Sequence, residues 1–411
     1  MPNAFPSMPA PRFLQVHTLT SYPGVLLNRD DAGLAKRLPY GGTVRTRVSS
    51  QCLKRHWRIA RGNEWGLDQT GAPLSTRSRE VFEYAIRPRL VEQLPAADAA
   101  AIDTAGLALS KALYGEKAEQ VRSRQALLLG WREIEYLTRL IADVVRGADS
   151  ADEAGKAVTA LFKNKDARAN LSAMKDAAGD LASGLEAALF GRMVTSDPAA
   201  NTDAAIHVAH AFTVHHQESE TDYFTVVDDL RTQDDAQDAG SAGIFDTELT
   251  SGLFYGYIVV DVPLLVANIT GKNVERWADT EVDRGLPAKV VEHLLHLVAT
   301  VSPGAKKGST APYAWTQCML VEVGARQPRT LASAFEQAVR ATPQRSLSQA
   351  GEEALFDRLA AFDRAYGARE ARCFLSLAPE ERPGARGPLA LDELARWAAE
   401  TVAHADAALR S

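Results

Sequence analysis

The chain has 411 residues, is 46% apolar and carries a net charge of −6. That length allows two or three compact units with real cores, and the acidic total argues against a protein that coats nucleic acid over its whole surface. The three cysteines are far apart and form no Cys-x-x-Cys motif, so they indicate neither a disulfide framework nor a zinc knuckle and favour a reducing cytoplasm.

Residues 1–11 lack the basic start and apolar core of a signal peptide and are predicted to be a flexible leader. No run of about 18 apolar residues predicts a membrane span. The charge is unevenly distributed: residues 1–62 contain ten lysines and arginines against two aspartates, a local net charge of +8, while the remainder carries −14. This reversal of sign predicts a phosphate-rich partner for the N-terminal part.

The first predicted strand covers 12–20, where side chains alternate along RFLQVHTLT. A loop of about 25 residues follows, and Val44 and Val48 then alternate with Arg45 and Arg47. This period predicts a half-buried strand that holds its cations on one face. Ser49 is predicted to cap a helix that begins near Ser50 and ends at Gly62.

The predicted helix has two different faces. One face presents Gln51, Lys54, Arg55, Arg58 and Arg61, and the other packs Leu53, Trp57 and Ala60. A charged helix is often only a solvated surface, but such a helix normally carries Glu four residues from Lys or Arg, and no carboxylate occurs from Lys36 to Arg61. Gly41 and Gly42 are predicted to let a ligand approach the backbone, and the helix N-terminus to bind an anion.

The remaining pattern alternates between helical and strand character. We predict a helical block at 80–189, a helix-like segment at 202–216, a polar projection at 218–250, a strand at 252–262, a helix at 289–300, a strand at 317–323, and helices near 331–340 and 391–409. The predicted fold class is α+β, with one sheet built from both ends of the chain and interrupted by a helical insertion and a projection.

Catalytic and metal motifs are weak. Histidines 207, 210, 215, 216, 293 and 296 include pairs at helical spacing, but HEXXH is absent and packed or surface histidines are the simpler interpretation. Asp30–Asp31 and Asp228–Asp229 fit acid–base or magnesium chemistry, or only turn capping. No GxSxG, P-loop or Rossmann fingerprint occurs. We predict no enzyme activity, cofactor or metal.

Two further segments carry binding character. The loop 304–308 (GAKKG) is a second candidate phosphate clamp when taken with the basic N-terminal part, although lysines in such loops are often only solvated. Met193 and Phe224, beside Arg192 and Tyr223, adjoin polar turns and could wedge between bases. The alternative is that these side chains belong to the core.

Nine motifs occur in order along the chain: VHTL, LNRDD, GG, VRTRVSSQCLKRHWR, GRMVTS, HVAHAFTVHH, DYFTVVDDL, SGLFYGY and PGAKK. Their order, and above all SSQ-x-LKR after NRDD followed by GRM and FT-x-VDDL, resembles the CasC-type backbone subunit of Cascade, the RNA-guided surveillance complex of type I-E CRISPR systems. The resemblance covers most of the chain.

The resemblance implies a hand-shaped fold. It implies a modified RRM-like (ferredoxin-like) palm sheet at 12–63 and 251–411, a helical fingers insertion at 64–190 and a protruding thumb at 191–250. It also implies a non-catalytic role in antiviral defence, in which several copies line up along the CRISPR RNA (crRNA) in the cytoplasm. Each thumb would push one base of the guide out of line.

The resemblance also implies site residues and partners. Contacts to the RNA backbone would come from Arg29, Lys36, Ser49, Gln51, Lys54, Arg55, Arg58, Lys306 and Lys307. The displaced base pair would meet Arg192, Met193, Ser196, Phe224 and Ile244. The implied partners are crRNA, the complementary target DNA strand, further copies in a helical filament, and guide-processing, large, small and 5′-end-capping subunits, without a membrane.

Two alternatives remain open. The first is an endoribonuclease that cuts RNA with Asp30 or Asp31, or with His17 or His56 as a general base. The second is a solitary binder of single-stranded nucleic acid.

Overall fold

A computed structural model describes residues 11–163, 181–194, 198–225 and 244–405. The chain divides into two compact units: the first comprises 1–66, 208–260 and 291–411, and the second comprises 67–207 and 261–290. Within the described ranges, no helix is both long and apolar enough to cross a membrane.

Eleven strands and eleven helices occur in the described ranges. The strands are β1 (Phe13–Val25), β2 (Arg37–Tyr40), β3 (Thr43–Val48), β4 (Ser75–Ser78), β5 (Leu127–Gly130), β6 (Ile206–Val208), β7 (Ala211–Thr213), β8 (Glu218–Thr225), β9 (Ile244–Asp261), β10 (Cys318–Gly324) and β11 (Ala371–Ser376). The helices are α1 (Ser50–Arg58), α2 (Arg87–Gln93), α3 (Ala99–Tyr114), α4 (Trp131–Gly147), α5 (Ala151–Lys163), α6 (Leu185–Phe190), α7 (Val262–Thr270), α8 (Gly285–Thr300), α9 (Lys307–Thr310), α10 (Leu347–Tyr366) and α11 (Leu391–Ala403).

The first unit is built on one sheet with the order β11-β10-β1-β9-β7-β3-β2, and β8 forms a hairpin with β9. Strand β1 pairs antiparallel with β10, from Phe13 opposite Gly324 to Leu19 opposite Cys318. The sheet therefore joins sequence from both ends of the chain, as predicted.

Helix α10 covers part of this sheet. Leu355 and Leu359 are buried in a core that also contains Leu253 of β9. Helix and strand approach closely at Gly351, where a Cβ atom would lie 2.7 Å from Leu253 Cδ2. A larger residue at position 351 would therefore force the Leu253 side chain to shift.

The second unit has a core of its own, formed mainly by α2 to α5 with Leu127 and Leu129 of β5, which pairs antiparallel with β4. In α4 the residues Ile134, Leu137, Ile141 and Val145 are buried, at the three- and four-residue spacing of an amphipathic helix. A buried ion pair joins Glu133 to Arg192 at 2.6 Å. The predicted helical block at 80–189 thus lies within a compact unit that also contains the short strands β4 and β5.

The α+β class is confirmed, but several local predictions are wrong. The helix-like segment at 202–216 forms β6 and β7, because its short apolar runs fit a buried strand as well as a helix. The helix near 331–340 is only one 3-10 turn, Ala332–Phe335. The pattern missed β2, α7, α10 and β11. The palm, fingers and thumb boundaries stay predictions.

Candidate nucleic-acid interface

Helix α1 begins where the sequence predicts. Ser49 has extended backbone angles and its Oγ accepts the Cys52 N–H at 3.3 Å. The Ser49 N–H donates to Asn28 Oδ1 at 2.9 Å, and the Ser50 N–H donates to His210 Nδ1 at 3.3 Å. These side chains take up the N–H groups of Ser49, Ser50 and Cys52, so Ser49 is a buried cap, and anion binding at the start of the helix stays a prediction.

Beyond its cap, α1 buries one face and exposes cations on the other. Trp57 is buried, whereas Arg55 and Gln51 are exposed and Lys54 is half-buried. Burial lowers the pKa of the Lys54 ammonium group. Among the described residues no carboxylate pairs with Lys54 or Arg55. Unlike an ordinary surface helix, α1 therefore carries positive charge that nothing in the described protein neutralises.

Arg58 lies on the same helix and is half-buried, but it has a contact of its own within the protein. Arg29 is exposed, and its backbone pairs with Ala35 in the loop before β2. The Lys36 backbone is held between Asn28 and Arg47, through bonds of 3.0 and 2.8 Å. These contacts fix the loop that leads to β2.

A second cationic group lies at the start of α1. Arg47 Nη1 is 3.3 Å from His210 Nδ1, the same nitrogen that accepts the Ser50 N–H. With two donors on Nδ1, the imidazole is neutral and carries its proton on Nε2. Burial and then the charges of Arg47 and Lys36 lower the pKa of His210. Lys36 also lowers the pKa of Cys52, which burial raises, so this lysine lies near both groups.

The two lysines of the 304–308 loop have different environments. Lys307 is exposed, and its charge adds to burial in lowering the pKa of His56 on α1. Lys306 Nζ instead lies 4.4 Å from the Phe224 ring centre and donates to Thr247 Oγ1 at 3.0 Å. Lys307 thus extends the surface of α1, whereas Lys306 contacts the β8–β9 hairpin.

We call Lys36, Arg47, Lys54, Arg55 and Lys307 the basic track. All five belong to the first unit, and none is paired with a carboxylate among the described residues. Phosphate groups are the ligand that such a set of unpaired cations suits best.

The sequence pattern predicts the wrong environment for one cation of β3. Arg45 is fully buried, whereas Val44 is 47% exposed. The Arg45 guanidinium donates to the carbonyls of Thr213 at 3.1 Å and Phe335 at 3.0 Å, so the cations of β3 do not share an exposed face.

The Gly41–Gly42 turn does take the predicted left-handed angles, with φ of +59° and +75°. The group that approaches Gly41 is the Glu336 carbonyl, which would lie 1.6 Å from a Cβ atom. In the described protein the turn therefore accommodates protein backbone at the position where we predicted a ligand.

The predicted base-contacting residues differ in their exposure. Met193 in the second unit is 69% exposed, and Phe224 and Tyr223 in the first unit are 38% and 71% exposed. The core alternative is therefore wrong for Met193 and Tyr223. Ser196 lies outside the described residues, and Ile244 is described only as the backbone partner of Thr225.

Arg192 is buried rather than displayed. Its Nη1 contacts both Glu133 oxygens, at 2.6 and 2.7 Å, and its Nε and Nη2 donate to the Ala200 carbonyl. Burial raises the pKa of Glu133, which the charge of Arg192 opposes. A guanidinium held in this way has little surface left for a base.

Two of the candidate catalytic groups, Asp30 and His17, are engaged in structural contacts. Asp30 Oδ1 accepts the N–H groups of Ala32 and Leu34, at 2.9 and 3.0 Å, which is a turn cap. His17 is fully buried between Tyr255 and Glu322. Asp31 is exposed, and Asp228–Asp229 lie outside the described residues.

His56 donates from Nδ1 to the Cys52 carbonyl at 2.8 Å. Within the described part of the chain, no three His, Cys, Asp or Glu side chains are grouped so as to hold a metal ion.

Sequence reasoning missed Asn28 and His210 as the partners that fix the start of α1. Asn28 is separated from Ser49 by 21 residues and His210 from Ser50 by 160. No spacing rule links positions so far apart. The LNRDD and HVAHAF motifs contained both residues but gave no indication that they meet.

The fold is similar to that of solved CRISPR proteins. A chain of a "CRISPR RNA-guided surveillance complex, pre-nicking" matches with a TM-score of 0.72 and 26% identity, covering 95% of this chain and 100% of the other. A chain of a second "CRISPR RNA-guided surveillance complex" matches with a TM-score of 0.53 and 20% identity, covering 94% and 98%. No curated protein matches the sequence.

These matches confirm the coarser part of the predicted resemblance, that the chain is similar to subunits of CRISPR surveillance complexes, whereas the type I-E assignment stays a prediction. A family model also matches nearly the whole sequence, from residue 14 to residue 401. The chain therefore belongs to the CT1975-like protein family, Cas_CT1975.

Proposed function

We propose that this protein is a non-catalytic, crRNA-binding backbone subunit of a type I-E Cascade complex. The observation that carries the proposal is the basic track, five cations without a carboxylate partner among the described residues. Cations left unpaired in this way can neutralise phosphates without first breaking internal ion pairs. The similarity to a chain of an RNA-guided surveillance complex supports the same function.

The chemistry of the track suits a guide holder. Lysine and arginine side chains contact phosphates without reading sequence, so one protein can hold any guide. In RNA-guided systems base pairing reads the target, and the protein holds the backbone of the guide. Held in this way, the bases of the crRNA would stay free to pair with the complementary strand of invading DNA.

The fold suits repeated assembly. We propose that the sheet of the first unit is the RRM-like palm, that the helical region at 64–190 forms the fingers, and that 191–250 forms the thumb. Copies that meet head to tail form an open filament, so the guide and its end-capping partners must limit the number of copies. Met193, Phe224 and Ile244 are the proposed contacts to a displaced base.

The contacts of two candidate catalytic groups support a non-catalytic function. His17 has no exposure with which to meet a substrate, and Asp30 is used as a turn cap. An endoribonuclease would instead need a general base within hydrogen-bond reach of the 2′-hydroxyl or of an attacking water.

The proposal predicts that reversing two charges of the track abolishes binding without unfolding the protein. Lys54→Glu with Arg55→Glu should weaken binding to a crRNA by at least about 100-fold at moderate salt, measured by fluorescence anisotropy. Since Lys54 is only half-buried and Arg55 is exposed, the melting temperature should change little. Retained affinity for the guide would refute the proposal.

The matched control is Arg364→Glu with Arg369→Glu. Both arginines are exposed and outside the basic track, and the pair changes the net charge by the same amount. Its RNA affinity should stay close to that of the wild type. An equal loss in both double variants would mean that only the total charge matters.

A second experiment separates the scaffold from the endoribonuclease. The assembled complex is incubated with labelled RNA complementary to the guide in the presence of magnesium. We expect no cleavage. Fragments at regular intervals that disappear in Asp30→Ala or Asp31→Ala would establish the enzyme instead.

A further inference from the structure

Two large aromatic side chains are exposed beside the basic track. Tyr313 and Trp315 are 75% and 73% exposed, whereas Ala314 between them packs against the core that includes Leu27 and Val48. Among the described residues, neither ring has a stacking, cation or hydrogen-bond partner. Two solvated aromatic rings that flank one anchored residue are an unusual use of apolar surface.

The backbone that carries the rings is held firmly. Ser302 Oγ donates to the Ala314 carbonyl at 2.8 Å and accepts the Ala314 N–H at 3.0 Å. The Thr316 N–H donates to the Ala299 carbonyl at 2.8 Å, and the Tyr313 N–H to the Ala311 carbonyl at 2.7 Å. The rings are therefore presented from a fixed segment, so binding a ligand there loses little backbone entropy.

The same segment lies next to α1. Ala314 packs against the core cluster that Cys52 and Leu53 of α1 also contact. At the other end of the loop, Lys307 is close enough to His56 to lower its pKa, and the Ala305 N–H donates to the Leu26 carbonyl at 2.9 Å. Cations and aromatic rings thus come from one short loop on one side of the first unit.

We propose that Tyr313 and Trp315 form a stacking site for an unpaired base of the RNA strand that the basic track holds. This inference rests on the proposed function. Grooves that bind single strands combine cations along the backbone with aromatic rings on which bases stack, and the neighbouring lysine supplies the complementary charge for a nucleic acid. One stacked base per copy leaves the other bases of the strand free.

The test compares a short single-stranded RNA with the same RNA carrying abasic sites at its central positions. Tyr313→Leu with Trp315→Leu should weaken binding of the normal RNA about tenfold, which is ~1.4 kcal/mol and within the range of base–aromatic stacking. Binding of the abasic RNA should not change. The wild-type protein with 4-thiouridine RNA should form photo-crosslinks at Tyr313 or Trp315.

The variants separate this inference from the proposed function. Lys54→Glu with Arg55→Glu should weaken the binding of both RNAs equally. If it does not, the result contradicts the role of the basic track and not the stacking site. Tyr366→Leu, which removes an aromatic ring that is 70% exposed elsewhere in the first unit, should change neither affinity.

Three outcomes would overturn the stacking site. The double leucine variant could weaken both RNAs equally, crosslinks could be missing from both rings, or the variant could lose self-association without RNA. The third result would assign the rings to a contact between copies. The melting temperature of the variant should match that of the wild type, because both rings are mostly solvated.

Discussion

The first unit contains two groups of cations that differ in what surrounds them. In the Glu322 cluster, formed by His17, Glu322, Arg329, Asp363 and Arg372, every arginine meets a carboxylate. Arg329 contacts Glu322 at 2.7 and 2.9 Å, and Arg372 contacts Glu322 at 2.7 Å and Asp363 at 2.6 and 2.8 Å. Among the described residues, no carboxylate pairs with a cation of the basic track.

The difference shows in the pKa values. Burial raises the pKa of Glu322, but hydrogen bonds from His17 and Arg329 outweigh burial and lower it well below its usual range. Burial lowers the pKa of His17 more than the bond to Glu322 and its charge raise it, and the charges of Arg329 and Arg372 lower it further. The positive charge of the Glu322 cluster is thus neutralised by carboxylates within the protein, whereas that of the basic track is available to a partner. The pairing of the arginines, more than their number, distinguishes structure from binding.

The largest effect should follow from removing the shared carboxylate. Glu322→Gln leaves the buried Arg372 with only Asp363 and Glu370 as carboxylate partners and removes the carboxylate that Arg329 contacts, which should lower the free energy of unfolding by about 3–5 kcal/mol. Denaturant unfolding measures the loss. Glu353→Gln, which removes a half-exposed partner of Arg345, should cost less than about 1 kcal/mol. Equal losses would show that the cluster is not internally compensated.

The two arginines of β3 show the same difference within one strand, because Arg45 binds protein carbonyls whereas Arg47 belongs to the basic track. Arg45→Gln should destabilise the fold by about 2–3 kcal/mol, because the buried carbonyls of Thr213 and Phe335 lose their donors. Its affinity for RNA should stay unchanged at temperatures where it is folded. Arg47→Gln should behave in the opposite way, with weaker RNA binding and a melting temperature close to that of the wild type. A loss of affinity in Arg45→Gln at full folding would contradict this division.

The salt dependence of RNA binding sharpens the definition of the track. Lys54→Gln and Lys307→Gln should each lower the slope of log affinity against log salt by about 0.7, the value for one contact to a single strand. Titrations at several salt concentrations measure it. Lys306→Gln should lower the slope less, because its ammonium group is held by Phe224 and Thr247. A larger change for Lys306 than for Lys307 would reverse the roles assigned to them.

The sequence correctly predicted features that depend on residues close together in the chain. The Ser49 cap and the spacing of Trp57 and Lys54 sufficed for α1, because caps and helix faces depend on neighbours within four residues. A cap was also readable at α10, where Ser346 and Gln349 form a capping box, but no motif drew attention to it. At α7 an apolar run continues from strand into helix, and only Asp261, whose side chain caps the helix, and Pro263 mark the change.

Long-range partners could not be read from the sequence. The alternation around Arg45 predicted an exposed cation, but the Phe335 carbonyl that binds it lies 290 residues away. Arg192 was predicted beside a displaced base, whereas its carboxylate partner is 59 residues earlier. In both cases a buried acceptor overrode the pattern. The carboxylate-free helix face is a different kind of signal, because it excludes pairing with neighbours along the helix directly.

The smallest predicted effects are two opposite pH dependences. Acid should strengthen RNA binding through His210 and weaken folding stability through His17. His210 has a lowered pKa and is neutral at pH 7. A second proton on His210 must go on Nδ1 and displace the Ser50 and Arg47 donors, and a bound phosphate should compensate for that loss by raising the pKa, so that binding takes up a proton and affinity rises about two- to threefold from pH 7.5 to pH 5.5. His17 also has a lowered pKa, so the unfolded state binds more protons and folding stability should fall as the pH drops below about 6.5. Anisotropy and denaturant titrations at each pH measure the two trends. His210→Asn should flatten the first and leave the second, and an affinity that falls with acid while the protein is still folded would contradict the placement of His210 beside the bound RNA.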